Sequence, residues 1–200
     1  CGVLVAGLVS PGDQRLLPVA LVTLAFMVIG GIDDWRSLTK RTNTGLSAKG
    51  KLLLQAIAAA LFLVWAALNG ALPSGIALPF GWWLPLGFLI WPLALFVFLA
   101  ESNATNLTDG LDGLAAGVSG IAAVGLLSVS FSLHQTGAGL LAAALAGACL
   151  GFLRDNFNPA RIFMGDGGSY FLGFSLAAIS LVGPAKELTT VSLLLPLLIL

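Results

Sequence analysis

Long apolar blocks separated by short polar stretches set the pattern of this chain. The blocks run over 18–32, 52–68, 84–100, 114–133, 139–153 and 168–182, with shorter ones at 1–9 and 191–200. A helix crosses the hydrocarbon core of a bilayer with about 20 mostly apolar residues, in a range of about 17–25. The longer blocks meet that length directly and the shorter ones with their flanking small residues. None alternates apolar and polar positions, so the pattern predicts helices, not the strands of a membrane barrel. The expected fold is an all-α polytopic membrane protein, a multi-helix transmembrane bundle in one domain over 1–200. With apolar runs cut short at both ends and no initiator Met, the expectation is a fragment of a longer protein.

Composition agrees with this picture. Hydrophobic residues make up 58% of the chain and charged residues 9%, with a mean hydropathy of +1.01, against about 25% charged in soluble domains. Many of the 25 glycines fall inside the blocks, where small residues let helices approach closely. Cys1 and Cys149 have no metal or redox spacing. The net charge of zero identifies no partner, and nothing points to nucleic acid.

The placement of charge is more informative. If the blocks cross alternately, Arg36, Lys40, Arg41, Lys49, Lys51, Arg154 and Arg161 share one side, and Arg15 and Lys186 the other. The positive-inside rule makes the first side cytoplasmic. Asp33, Asp34, Glu101, Asp109, Asp112, Asp155 and Asp166 fall on that side too, which the rule does not predict because acids contribute little to orientation. The acids therefore call for a second explanation.

The stretch Asn103-Ala-Thr-Asn-Leu-Thr-Asp-Gly-Leu-Asp-Gly holds two amides and two carboxylates in a nearly lipid-like context. Asn103 and Asn106 are three apart, as are Asp109 and Asp112, so on a helical turn each pair points to one side. Together with Asp33-Asp34 and Asp166 this gives three acidic elements at block ends on one face. Two carboxylates about 4 Å apart repel by about 4 kcal/mol at an effective dielectric of 20. A divalent cation or several basic groups must offset that repulsion. Mg2+ fits better than Ca2+, because it takes one or two carboxylates and shares its remaining positions with water and phosphates. In Phe163-Met-Gly-Asp-Gly-Gly-Ser, glycines precede a helix whose first N–H groups are donors for an anion. Each feature has a plainer use alone: a solvated helix end, a cap, a packing glycine, or an interfacial aromatic at Phe163. Their coincidence on one face favours a site for phosphates and a metal.

These residues resemble the polyprenyl-phosphate N-acetylhexosamine-1-phosphate transferase family of glycosyltransferase family 4. The matching pieces are Asp33-Asp34, Asn103 to Ala115, and Asn156-Phe-Asn-Pro-Ala-Arg-Ile-Phe-Met-Gly-Asp-Gly-Gly-Ser, and their order matches as well. The resemblance implies transfer of a sugar 1-phosphate from a UDP-sugar to undecaprenyl phosphate, releasing UMP, at the cytoplasmic face of a bacterial inner membrane. It implies Mg2+, or Mn2+ in its place, and is compatible with a homodimer. Asp166 and Asn106 resemble the metal ligands, and Asp33 and Asp34 the pair near the lipid phosphate, one of them a proposed base. Asn103, Asp109, Asp112, Asn156 and Phe163 resemble positions around the nucleotide sugar, and either Lys49 or Lys51 matches a family lysine. The muramoyl-pentapeptide branch carries a lysine shortly after Asp-Asp. Here Trp35-Arg36-Ser37 follows, which points to UDP-N-acetylglucosamine as donor.

Two other classes compete. An intramembrane Mg2+-dependent prenyltransferase also sets Asn and Asp clusters over a diphosphate, but has no place for the Phe-Met-Gly-Asp-Gly-Gly loop. An ion-coupled transporter needs ionisable groups near the bilayer midplane, whereas these acids sit at block ends.

Overall fold

The computed structural model describes residues 13–40, 45–78, 82–182 and 188–189. The runs expected at 1–9 and 191–200, Cys1, Arg41, Lys186 and the turn at 183–187 lie outside the described residues. Among the described residues six helices follow one another: α1 (Leu16–Lys40), α2 (Ala48–Leu68), α3 (Ile90–Thr108), α4 (Leu114–Ser132), α5 (Thr136–Asn156) and α6 (Gly165–Val182). Five apolar stretches among the described residues, coinciding with α1 to α5, are long and apolar enough to cross a membrane. Together they bear out the expected all-α membrane bundle.

Three boundaries depart from the sequence reading. Helix α1 continues through Asp33 and Asp34 to Lys40, and α3 through Asn103 and Asn106 to Thr108. Hydropathy marks where a helix would leave lipid, whereas its backbone hydrogen bonds continue until something stops them. Helix α2 starts earlier than its apolar block because Ser47 caps it, its hydroxyl accepting from the N–H of Gly50 at 3.2 Å. At the far end, the connection read as a plain loop holds β1 (Gly75–Ala77) and β2 (Trp83–Pro85), antiparallel, with β3 (Leu188–Thr189) parallel to β1. Strands of three residues are too short to show alternation.

Helix α6 is the centre of the bundle, with α1 and α3 as its main neighbours, while α4 and α5 pair closely with each other. From Ser169 to Leu181 its residues are almost all buried. Four helices meet in a ring cluster: Phe174 lies 4.0 Å from Phe26 and 4.5 Å from Phe98, and Phe62 stands edge-on to Phe98 at 5.6 Å between centroids. Aromatic pairs at these separations contribute about 0.5–1.5 kcal/mol beyond area burial. The cluster fixes the crossing of α1, α2, α3 and α6 below the ends that carry the acids. Glu101, expected among the acids of that face, is instead inside the bundle: it is 2% exposed, and its Oε1 has no hydrogen-bond partner. About two helical turns short of the end of α3 at Thr108, the residue still faces neighbouring helices.

Candidate active site

The C-terminal end of α1, the first turn of α2, the end of α3 and the first turn of α6 come together at one end of the bundle. Asp33, buried at 6% exposure, accepts from the N–H of Leu46 through Oδ1 and from the Lys51 ammonium at 2.7 Å through Oδ2. Lys51 also reaches Asp166 Oδ2 at 3.0 Å. The other oxygen of Asp166 accepts from Asn106 Nδ2 at 2.8 Å, and the same amide nitrogen donates to Ser169 Oγ at 2.9 Å. Residues far apart in sequence thus form a continuous chain from Asp33 through Lys51 and Asp166 to Asn106.

Of the two candidate lysines, only Lys51 enters this chain. Lys49 is exposed, because two residues on a helix turn the side chain by about 200°. The ammonium between Asp33 and Asp166 supplies the basic group that the repulsion argument required. Asp34 turns away from Asp33 and binds the backbone of α6, accepting from the N–H groups of Asp166 at 3.2 Å and Gly167 at 3.1 Å. Those donors, expected to cradle a phosphate, are therefore occupied by a carboxylate of the same chain.

The expected face of paired residues divides. Asn103 and Asn106 lie on α3 as anticipated, but Asn103 donates to Gln55 Oε1 at 2.9 Å on α2 and to Leu99 O at 2.7 Å. Asp109 and Asp112 lie in the turn between α3 and α4, not on a helix, and they diverge. Burial pushes the Asp109 carboxyl up to about 6, with the charges of Asp166 and then Asp34 adding to the rise. Asp112 accepts from Asn158 Nδ2 at 3.1 Å and from the N–H of Ala160 at 2.9 Å. Asn156, 3% exposed, accepts from the N–H of Gly113 at 3.1 Å and donates to Ile162 O at 2.9 Å. Asp112 and Asn156 therefore brace the connection between α5 and α6 against the α3–α4 turn. Phe163 is 75% exposed on that connection, with its ring free to meet a ligand.

Sequence reasoning missed Gln55 and Ser169. Gln55 had a legible signal, being the one polar residue after Lys51 in α2 and four positions from it, hence on the same face. Ser169 had none beyond its place in the Gly-rich segment. Beside the acids, α1 and α6 leave an open apolar groove of about 800 Å3 lined by Met27, Val28, Ile32, Trp35, Met164 and Phe171.

The donor set fits a hard cation. Asp166, Asn106 and Asp109 offer only oxygen as ligand atoms, and the charges of Asp166 and Asp34 add to the rise that burial chiefly gives the Asp109 carboxyl. Among the described residues no three His, Cys, Asp or Glu side chains form a ready-made metal cage. Mg2+ needs no such cage, since one or two carboxylates with water and phosphate oxygens complete its shell.

Residues 16–184 match the model of glycosyl transferase family 4. A phospho-N-acetylmuramoyl-pentapeptide-transferase of Synechococcus sp. (strain RCC307) is 70% identical over 187 residues, covering 91% of this chain and 51% of that protein. Proteins of the same name from Prochlorococcus marinus (strain MIT 9313) and Nostoc punctiforme are 51% and 49% identical, each over 90% of this chain and 50% of their own length. The chain thus spans about half the length of the curated relatives it matches. Three motifs brought to one end of a helical bundle, and a family match that contains all of them, lead to one assignment: the chain belongs to glycosyl transferase family 4.

Proposed function

We propose that the whole protein transfers a sugar 1-phosphate from a UDP-sugar to undecaprenyl phosphate, at the cytoplasmic face of a bacterial membrane. The observation that supports this most is Lys51 held between Asp33 and Asp166, with Asp166 also bound to Asn106. A phosphate oxygen of the lipid attacks the sugar-bearing phosphorus of the donor. A new P–O bond forms as the bond to the UMP oxygen breaks, giving UMP and a lipid diphosphosugar. The nucleophile is already an oxyanion, so the protein's task is charge neutralisation and in-line alignment. Lys51 offers a cation that exchanges carboxylate partners for phosphate oxygens, and Phe163 offers an exposed ring for the uracil. The groove between α1 and α6 suits an isoprenoid tail. Bound at Asp166, Asn106 and Asp109, Mg2+ would neutralise phosphate charge.

For the donor sugar, the name shared by the curated relatives supports the N-acetylmuramoyl-pentapeptide over the UDP-N-acetylglucosamine expected from Trp35-Arg36-Ser37. Those three residues are one local departure, whereas the identity to the relatives extends over nearly the whole chain. The test is a transfer assay on the whole protein in detergent, with undecaprenyl phosphate and each labelled donor, with and without Mg2+. Metal-dependent label in the lipid phase from the muramoyl-pentapeptide donor is expected. Label only from UDP-N-acetylglucosamine would reverse the sugar choice, and no label from any UDP-sugar would overturn the reaction.

A further inference from the structure

Gly30, Gly31 and Asp34 lie along the part of α1 that meets the first turn of α6. A Cβ on Gly30 would stand 2.5 Å from the backbone nitrogen of Gly167, and one on Gly167 would stand 3.2 Å from that of Gly31. The two helices therefore meet backbone to backbone, and a side chain at Gly30 would force them apart. Asp34 follows Gly30 by four residues, one turn further along the same face. Its Oδ1 accepts from the N–H of Asp166 and its Oδ2 from the N–H of Gly167, while Gly168 N–H reaches Met164 O at 3.2 Å. The first turn of a helix leaves N–H groups without partners inside the helix. Here Asp34 supplies two of the missing partners from another helix, and its charge faces the positive end of the α6 dipole. Gly165, at φ +63°, turns the chain into α6 with Asp34 Oδ2 only 2.7 Å from where its Cβ would be.

We infer that Asp34 is a positioning residue: as an N-cap given in trans, it fixes the first turn of α6 and thereby aims the Asp166 carboxylate at Lys51 and Asn106. Each of its oxygens accepts from a backbone N–H of α6, so in this inference its task is to hold that helix and not to act as the base toward the lipid phosphate. This inference rests on the proposed reaction, but the cap itself can be tested apart from it.

The experiment compares the whole wild-type protein with Asp34→Asn, Asp34→Ser and Asp34→Ala, measuring transfer kinetics with Mg2+ and thermal melting in metal-free detergent buffer. Asn and Ser retain a capping oxygen, whereas Ala has none. The expected result is a kcat for Asp34→Asn within about 10-fold of wild type, with Asp34→Ala falling at least about 10-fold further and melting lowest. A base has no such rescue, so an Asn variant no better than Ala in kcat would overturn the inference. If wild type transfers no donor, the proposed reaction fails and melting decides the cap. In that case Ala melting below both Asn and Ser supports it, and equal melting of all variants overturns it.

Discussion

Two polar seams at the same end of the bundle use similar residues in opposite ways. In the first, where α1, α2, α3 and α6 meet, Asp33, Lys51, Asp166 and Asn106 bind one another mostly through side chains. In the second, where the α3–α4 turn meets the α5–α6 connection, Asp112 and Asn156 bind mostly backbone groups. A side chain bound to another side chain can exchange that partner for a ligand at small structural cost. One that holds backbone N–H and C=O groups cannot, because a buried peptide group left unpaired costs about 1–3 kcal/mol. Under the proposed function the first seam is the one suited to meet substrate and the second to hold the frame, although both arise from Asn- and Asp-rich motifs.

The sharpest way to break this contrast is at Asp166. Replacing it with Asn in the whole protein is expected to lower transfer by about 100-fold or more, the scale seen when one electrostatic contact to a reacting group is removed. Its melting temperature should change little, because an amide still hydrogen-bonds Asn106. Lys51→Met comes next. Asp33 and Asp166 would then face each other without a cation, so transfer should fall by a similar factor and melting should drop as well. Lys51→Arg should recover melting more than activity, since a planar guanidinium does not reproduce a compact ammonium.

The second seam should respond in the other sense. Asn156→Ala strands the buried N–H of Gly113, a loss of about 1–3 kcal/mol, and releases the C=O of Ile162, an exposed residue whose carbonyl can turn to water. It should lower melting more than Asp166→Asn does, while transfer, measured well below the new melting point, falls less. An Asn156→Ala variant that melted like wild type but transferred nothing would move Asn156 into the substrate seam.

The smallest effect is expected at Asp109, which sits between the two. Its carboxyl holds a proton more tightly in the fold, at about 6 against 3.8 unperturbed, so ionising it costs the folded state. That penalty is absent below about pH 4 and grows as pH rises through about 6. In metal-free protein, Asp109→Asn should therefore raise the melting temperature slightly at pH 8 and leave it unchanged at pH 4. A lower melting temperature at pH 8 would mean that the ionised carboxylate is stabilising.

The sequence alone determined that this is a helical membrane bundle, which polar segments share an end, and which motifs the family match contains. Those properties follow from local hydropathy and from the alternation of crossings, so they need no knowledge of neighbours. It was also enough to place Asn103 and Asn106 together on α3, because a helix fixes the direction of residues three apart. What it left open depends on rotation about helix axes and on which helices touch. Consecutive helical residues point about 100° apart, so Asp33 reaches Lys51 on α2 while Asp34 reaches the backbone of α6. The same rotation separates Lys51 from Lys49, and the α3–α4 turn separates Asp109 from Asp112. Only the packed bundle decided that α6 stands at the centre, and with it which carboxylates bind other side chains and which hold backbone groups.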